Sequence, residues 1–96
     1  MDKKDIISIQ KFCKLYEVPV SFVDSLYSFQ LIDIVDFENT KHIHTNQIAH
    51  IEKLIRLHYD LNINFEGLDV INNLLDKINE LENEVISLKR QISFYK

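Results

Sequence analysis

Residues 71–95 place an apolar side chain at alternating steps of three and four: Ile71, Leu74, Ile78, Leu81, Val85, Leu88, Ile92 and Tyr95. That spacing is the a/d seam of a coiled coil, with β-branched residues at a and mainly Leu at d. A helix from Phe65 to Tyr95 would be roughly 46 Å long at about 1.5 Å per residue, too long for a globule built from residues 1–64 to cover. Up to about Leu81 the stripe could fold back on its own domain. Beyond Leu81 it needs a second helix, and a homodimer held by these eight residues is expected. A β-branched a position with Leu at d fits a two-stranded parallel pair, in which Lys77 faces Glu82 and Glu84 faces Lys89. An antiparallel pair satisfies most of the same charges, so the direction stays open. Each exposed pair contributes a few tenths of a kcal/mol, so the seam is what holds the helices together.

The rest of the chain also reads as mainly α. One Gly and one Pro in 96 residues are a poor supply of turn formers for a strand-rich fold. Ile9, Phe12, Cys13 and Tyr16 follow helical spacing, with Ser8 as a candidate N-cap. Glu17-Val18-Pro19 breaks that helix, because the residue before proline avoids helical backbone. A second stripe, Phe22, Val23, Leu26, Tyr27 and Gln30, completes a helix-turn-helix with Val18 tucked into the joint. From Ile32 to Phe37, and again through Lys41-His42-Ile43-His44, polar and apolar residues alternate around a Glu38-Asn39-Thr40 turn. This predicts a short β hairpin, or wing. Thr45 or Asn46 would cap a third helix carrying Ile48, Ile51, Leu54, Ile55 and His58. In the loop after it, Leu61 and Ile63 could dock on the core. The expected organisation is a winged helix-turn-helix domain over residues 1–64 and a long coiled-coil helix over 65–96.

Charge limits the partners. The formal net charge is −4. Between residues 15 and 51 Lys41 is the only Lys or Arg, against the acids Glu17, Asp24, Asp33, Asp36 and Glu38. A surface that holds nucleic acid needs several cations on one face. An acid-rich face suits a basic partner, although many such faces are merely solvated. Catalytic chemistry is not indicated: a single glycine excludes a glycine-rich phosphate loop, and no nucleophile–base arrangement is suggested by spacing. The lone Cys13 cannot form an intrachain disulfide and falls on the inner stripe of the first helix. His42 and His44 share a strand face and could hold zinc with His50 or His58, but two polar histidines on a wing are the commoner reading. No metal, cofactor or catalytic residue is expected. The amino-terminal residues lack the apolar run of a signal peptide, and no apolar stretch is long enough to span a membrane, so a cytoplasmic protein is expected.

The order of elements resembles the MerR-type winged-helix regulators, with informative departures. Where the second helix of that family typically reads Thr-Leu-Arg-Tyr-Tyr-Glu, this chain has Phe22-Val23-Asp24-Ser25-Leu26-Tyr27, so Asp24 stands in place of an arginine that meets the DNA backbone. The family's following Gly-Leu is Gln30-Leu31, and the wing offers only Lys41. A narrower resemblance accommodates these changes. Ile9-Gln10-Lys11-Phe12-Cys13 is similar to the Ile-x-x-Phe-Cys opening of the CbpM chaperone-modulator family. Arg56-Leu57-His58-Tyr59-Asp60-Leu61-Asn62-Ile63-Asn64-Phe65-Glu66-Gly67 resembles that family's Arg-Leu-Arg-x-(acid)-Leu-x-(apolar)-x-(aromatic)-x-Gly passage, and Leu68 to Ile78 continues the match. The wing is poorly matched.

The resemblance implies a non-enzymatic modulator that binds the J domain of a CbpA/DnaJ-type co-chaperone and inhibits it by covering the surface used by the Hsp70-type chaperone DnaK. That J-domain surface is typically basic, so Asp24, Asp33, Asp36 and Glu38 are the candidate electrostatic contacts. Tyr27 and Phe29 are the candidate apolar anchors, since interface energy concentrates in a few aromatics; Phe22 is assigned to the core. Two alternatives stand beside this reading. One is a dimeric MerR-like DNA-binding regulator, less favoured for want of cations unless Lys11, Lys14 and Lys53 gather near the second helix. The other is an adaptor whose coiled coil is itself the docking surface.

Overall fold

A computed structural model describes residues 5–94 of the chain. Among the described residues seven short elements precede one long rod: β1 (Ile6–Ser8), α1 (Ile9–Tyr16), α2 (Val20–Ser28), β2 (Val35–Phe37), β3 (Thr40–His44), a 3-10 turn (Thr45–Gln47) and α3 (Ile48–Tyr59), then α4 (Phe65–Phe94). The three strands form an antiparallel sheet in the order β1-β3-β2. Strand β1 was not anticipated. It is only three residues long and runs straight into α1 through Ser8, so periodicity had nothing to register.

The helix-turn-helix is set by two helix stops of the same kind. The Ser8 hydroxyl accepts from the Lys11 amide at 3.2 Å and starts α1, as its position predicts. At the other end Glu17 turns left-handed (φ 55°), and the Val18 amide donates to the Cys13 carbonyl at 3.1 Å. The second helix ends alike: Gln30 takes φ 60°, and the Leu31 amide reaches the Leu26 carbonyl at 2.9 Å. Each stop places an apolar residue, Val18 or Leu31, against the helix it terminates, and both are buried. Gln30 occupies the position where the resembling family has glycine. The φ value explains that preference, since a side chain there carries strain. Tyr27 and Gln30, expected on the inward stripe, are both exposed, because the helix turns left-handed before their side of it can be covered.

Strand β2 is shorter than the predicted alternation. Leu31 and Ile32 go into the core, and the strand begins only at Val35. The Gln47 side chain fixes this connection by accepting from the Asp33 amide at 2.9 Å and donating to the Asp33 carbonyl at 3.0 Å. Glu38 and Asn39 form a two-residue turn, both with positive φ (50° and 61°), and Phe37 pairs with Thr40. That is a type I′ hairpin, whose twist matches the strands it joins. Neither Thr45 nor Asn46 caps α3 with its side chain. Thr45–Gln47 instead wind one 3-10 turn directly into it.

The core draws Phe12, Val23, Leu26, Ile43, Ile51 and Leu68 below 2% exposure, from four helices and the central strand. Asn64 caps α4, its side-chain oxygen accepting from the Gly67 amide at 2.8 Å. Ile63 packs on the core as expected, but Leu61 stays 65% exposed. After Asn72 every described side chain of α4 is exposed, so the rod does not fold back on its own domain even over the stretch up to Leu81.

Two backbone positions give opposite expectations. A Cβ on Gly67 would sit 2.7 Å from Ile63 Cγ2, so Gly67→Ala should overpack the α3–α4 joint. After the gain in helix propensity, a net loss of about 1 kcal/mol is expected. Gln30→Gly relieves a left-handed residue and should gain up to about 1 kcal/mol. Urea denaturation of the two variants checks both signs.

Candidate functional site

The acids singled out from the sequence are brought together in part. In the hairpin Asp36 pairs directly with Lys41 across β2 and β3, so the two side chains leave the sheet on the same face. Ile43, two residues from Lys41 and fully buried, lies on that face as well, which makes it the side turned toward the helices. There Lys41, Asn39 and Thr40 line one shallow cleft with Ile9 and Gln10 of α1 and Val20 and Asp24 of α2. Lys41 therefore shares the sheet face of Asp36 and lines one cleft with Asp24. Glu38, at the tip of the same hairpin, borders a different cleft, beside Lys11. Asp33 is not part of this group. Gln47 holds it at the opposite, open end of the hairpin, beside the start of α3.

The apolar candidates separate in the same way. Tyr27 is 52% exposed and lies one helical turn from Asp24 on the outer side of α2. Phe29 is half-buried and stacks on Phe65 with ring centroids 5.9 Å apart, so much of its surface serves the core. Val20, which the sequence reading passed over, is 43% exposed and lines the cleft beside Asp24. Val20, Asp24 and Tyr27 follow an i, i+4, i+7 spacing, the one signal that would have grouped them. Together they give α2 an outer face of two apolar groups flanking one carboxylate.

Two of the three lysines that could have converted this face to a nucleic-acid surface, Lys11 and Lys53, lie elsewhere. Lys11 lines a different cleft with Phe37 and His42, on the far side of the sheet. Lys53 lies with Arg56 in a groove between α3 and α4. Lys14 sits in the last turn of α1.

The remaining polar side chains are structural. His42 Nδ1 donates to the Thr40 carbonyl at 2.8 Å, and His58 Nδ1 donates to Ile63 at 2.8 Å while stacking on Phe65. His50 Nε2 donates to Leu31 at 3.2 Å. Among the described residues no three His, Cys, Asp or Glu side chains are grouped to hold a metal ion. Tyr16 of α1 donates to Glu52 of α3 at 2.7 Å, which raises the phenol pKa above its usual range. Burial, and secondarily the charge of Asp24, pushes the Cys13 thiol up. Seven of the eight seam residues lie along α4: Leu74, Ile78, Leu81, Val85, Leu88 and Ile92 are exposed and Ile71 is half-buried at the groove. Tyr95 lies outside the described residues. No helix among these residues is long and apolar enough to cross a membrane.

Two adjacent helices joined by a tight turn, a hairpin beside the second, a third helix and a long terminal rod define a winged helix-turn-helix protein. Within that class, the family described as MerR HTH family regulatory protein matches residues 7–90, and the chain belongs to it. That family is one of regulators, typically without enzymatic activity. No curated protein and no solved structure matches the chain.

A buried thiol with a raised pKa should react only when the core opens. Iodoacetamide at neutral pH is expected to leave Cys13 unmodified in the native protein and to alkylate it in denaturant, as read by intact mass. Ready modification of the native chain would mean that α1 does not pack as described.

Proposed function

We propose that this chain is a non-enzymatic chaperone modulator of the CbpM kind, which binds the J domain of a CbpA/DnaJ-type co-chaperone and inhibits it. The observation that carries this reading is the charge balance: Lys41 is the only Lys or Arg among the described residues of α2 and the hairpin, paired across the strands with Asp36 and lining one cleft with Asp24. A face with that balance repels phosphate and favours a cationic surface. Val20 and Tyr27 on the outer side of α2 supply apolar area beside the carboxylate, suited to the stem of a basic amphipathic helix. The resemblance of the Phe12-Cys13 pair and of residues 56–78 to the CbpM family points the same way. On this reading Asp24, Asp36 and Glu38 make the principal electrostatic contacts with Tyr27 as the anchor. Asp33 and Phe29 contribute at the margin, and the protein works as a cytoplasmic homodimer joined through α4.

The family match favours a second reading, a dimeric transcriptional regulator that binds DNA. It requires phosphate neutralisation by cations that this face does not gather.

Titration of the purified protein with the J domain encoded nearest to its gene should give saturable binding. An Asp24→Lys/Asp36→Lys double variant should bind roughly tenfold more weakly or worse, with a flatter salt dependence. Absence of binding at tens of micromolar would end the modulator reading. A salt-sensitive, sequence-specific gel shift with the upstream intergenic DNA would establish the regulator instead.

A further inference from the structure

The face of the sheet turned away from the helices is not the polar surface that an outer face usually presents. The strand register sets Ser8, His42 and Val35 side by side on it, with Ile6 beside His44 and Phe37 beside Thr40. Ile6 is buried, yet alone among the described buried apolar residues it stands outside the core cluster. Together with Phe37 it lines a cleft of about 390 Å³, at the small end of the range of ligand sites. His42 meets the Phe37 ring edge-on, with centroids 5.8 Å apart, which fixes the orientation of the aromatic wall.

The polar groups around this cleft are of complementary kinds. Lys11, in the first turn of α1, brings an ammonium group, and Glu38, at the hairpin tip, a carboxylate. The Ser8 hydroxyl oxygen accepts from the Lys11 amide, which leaves its own proton to donate. His42 Nδ1 donates to the Thr40 carbonyl at 2.8 Å, so Nε2 is left as an acceptor. Glu38 is also held in left-handed backbone (φ 50°), at a turn position that favours asparagine or glycine. An anion alone would meet Glu38 and a cation alone would meet Lys11. A molecule carrying both charges satisfies each.

We propose that this cleft binds a free apolar α-amino acid. Its carboxylate lies toward Lys11 and the Ser8 hydroxyl, its ammonium toward Glu38 and His42 Nε2, and its side chain over Ile6 and Phe37. An aromatic side chain suits the site best, because it adds ring-on-ring contact with Phe37 to the apolar area it covers. The cleft opens on the opposite side of the sheet from Asp36 and Lys41, so its occupancy does not depend on the partner proposed above.

Titration of the full chain with L-phenylalanine, followed in amide correlation spectra, tests the proposal. Saturable shifts centred on Ser8, Lys11, Glu38 and His42 are expected, with a dissociation constant of about 1 mM or below. Phenylpropionate lacks the ammonium and phenethylamine lacks the carboxylate, so each should bind about fivefold more weakly or worse. Lys11→Gln, at an exposed position, should weaken phenylalanine binding about fivefold while leaving phenethylamine binding unchanged, and its own spectrum reports whether the fold is intact. The absence of saturable shifts at about 10 mM, or shifts centred elsewhere on the chain, would overturn the proposal. Equal binding of phenylalanine and either singly charged analogue would overturn it as well.

Discussion

Six side chains buried below 2% exposure, contributed by α1, α2, β3, α3 and α4, meet in one small core, and every other feature of the fold is arranged around that meeting. Each such residue contributes about 1.5–3 kcal/mol by leaving water. The sum is modest for a domain of this size, so the elements are short and their ends are tied down individually. Ser8, Gln47, Asn64 and the three histidine–carbonyl bonds do this at the surface of the core. Leu68 is the only seam-side residue of α4 that the core takes in completely. Past the next turn the helix has nothing of its own chain to pack against.

Much of this was legible in the residues. The α1 and α3 stripes, the Ser8 cap, the break at Val18-Pro19, the hairpin turn at Glu38-Asn39 and the start of α4 all follow from periodicity and turn chemistry, because each depends on neighbours in sequence. What escaped depends on distant partners. Strand β1 exists only because β3 offers an edge to Ile6–Ser8. The fate of Leu61 and Ile63, two similar residues two positions apart, is decided by which of them faces Gly67 and the core. The two left-handed helix stops at Glu17 and Gln30 were hidden for another reason. With one glycine in the chain, residues of ordinary type hold conformations that glycine normally marks.

The candidate face shows the same division. That α2 lacks cations is plain from composition. That Lys41 pairs across the strands with Asp36 and shares a cleft with Asp24 is not, since it requires the hairpin register and the packing of α2 beside the sheet. The structure also redistributes the candidates, setting Asp24 and Asp36 about the Lys41 face while Glu38 borders the cleft of Lys11 and Asp33 lies at the other end of the hairpin. Val20 entered the site only once the cleft was visible. Neighbours in sequence thus share a charge pattern without sharing a surface.

The unsupported stretch of α4 ties secondary structure to abundance. A solitary helix of some twenty residues with few alanines is marginal in water, because the apolar stripe that would reward its formation has nothing to bury against. On the proposed pairing through α4, becoming helical and finding a second helix would be one event for this distal stretch. Dilution would then melt the segment into a protease-accessible tail, and crowding several copies together would restore it. Under that proposal orphan chains would be cleared selectively, leaving the assembled population.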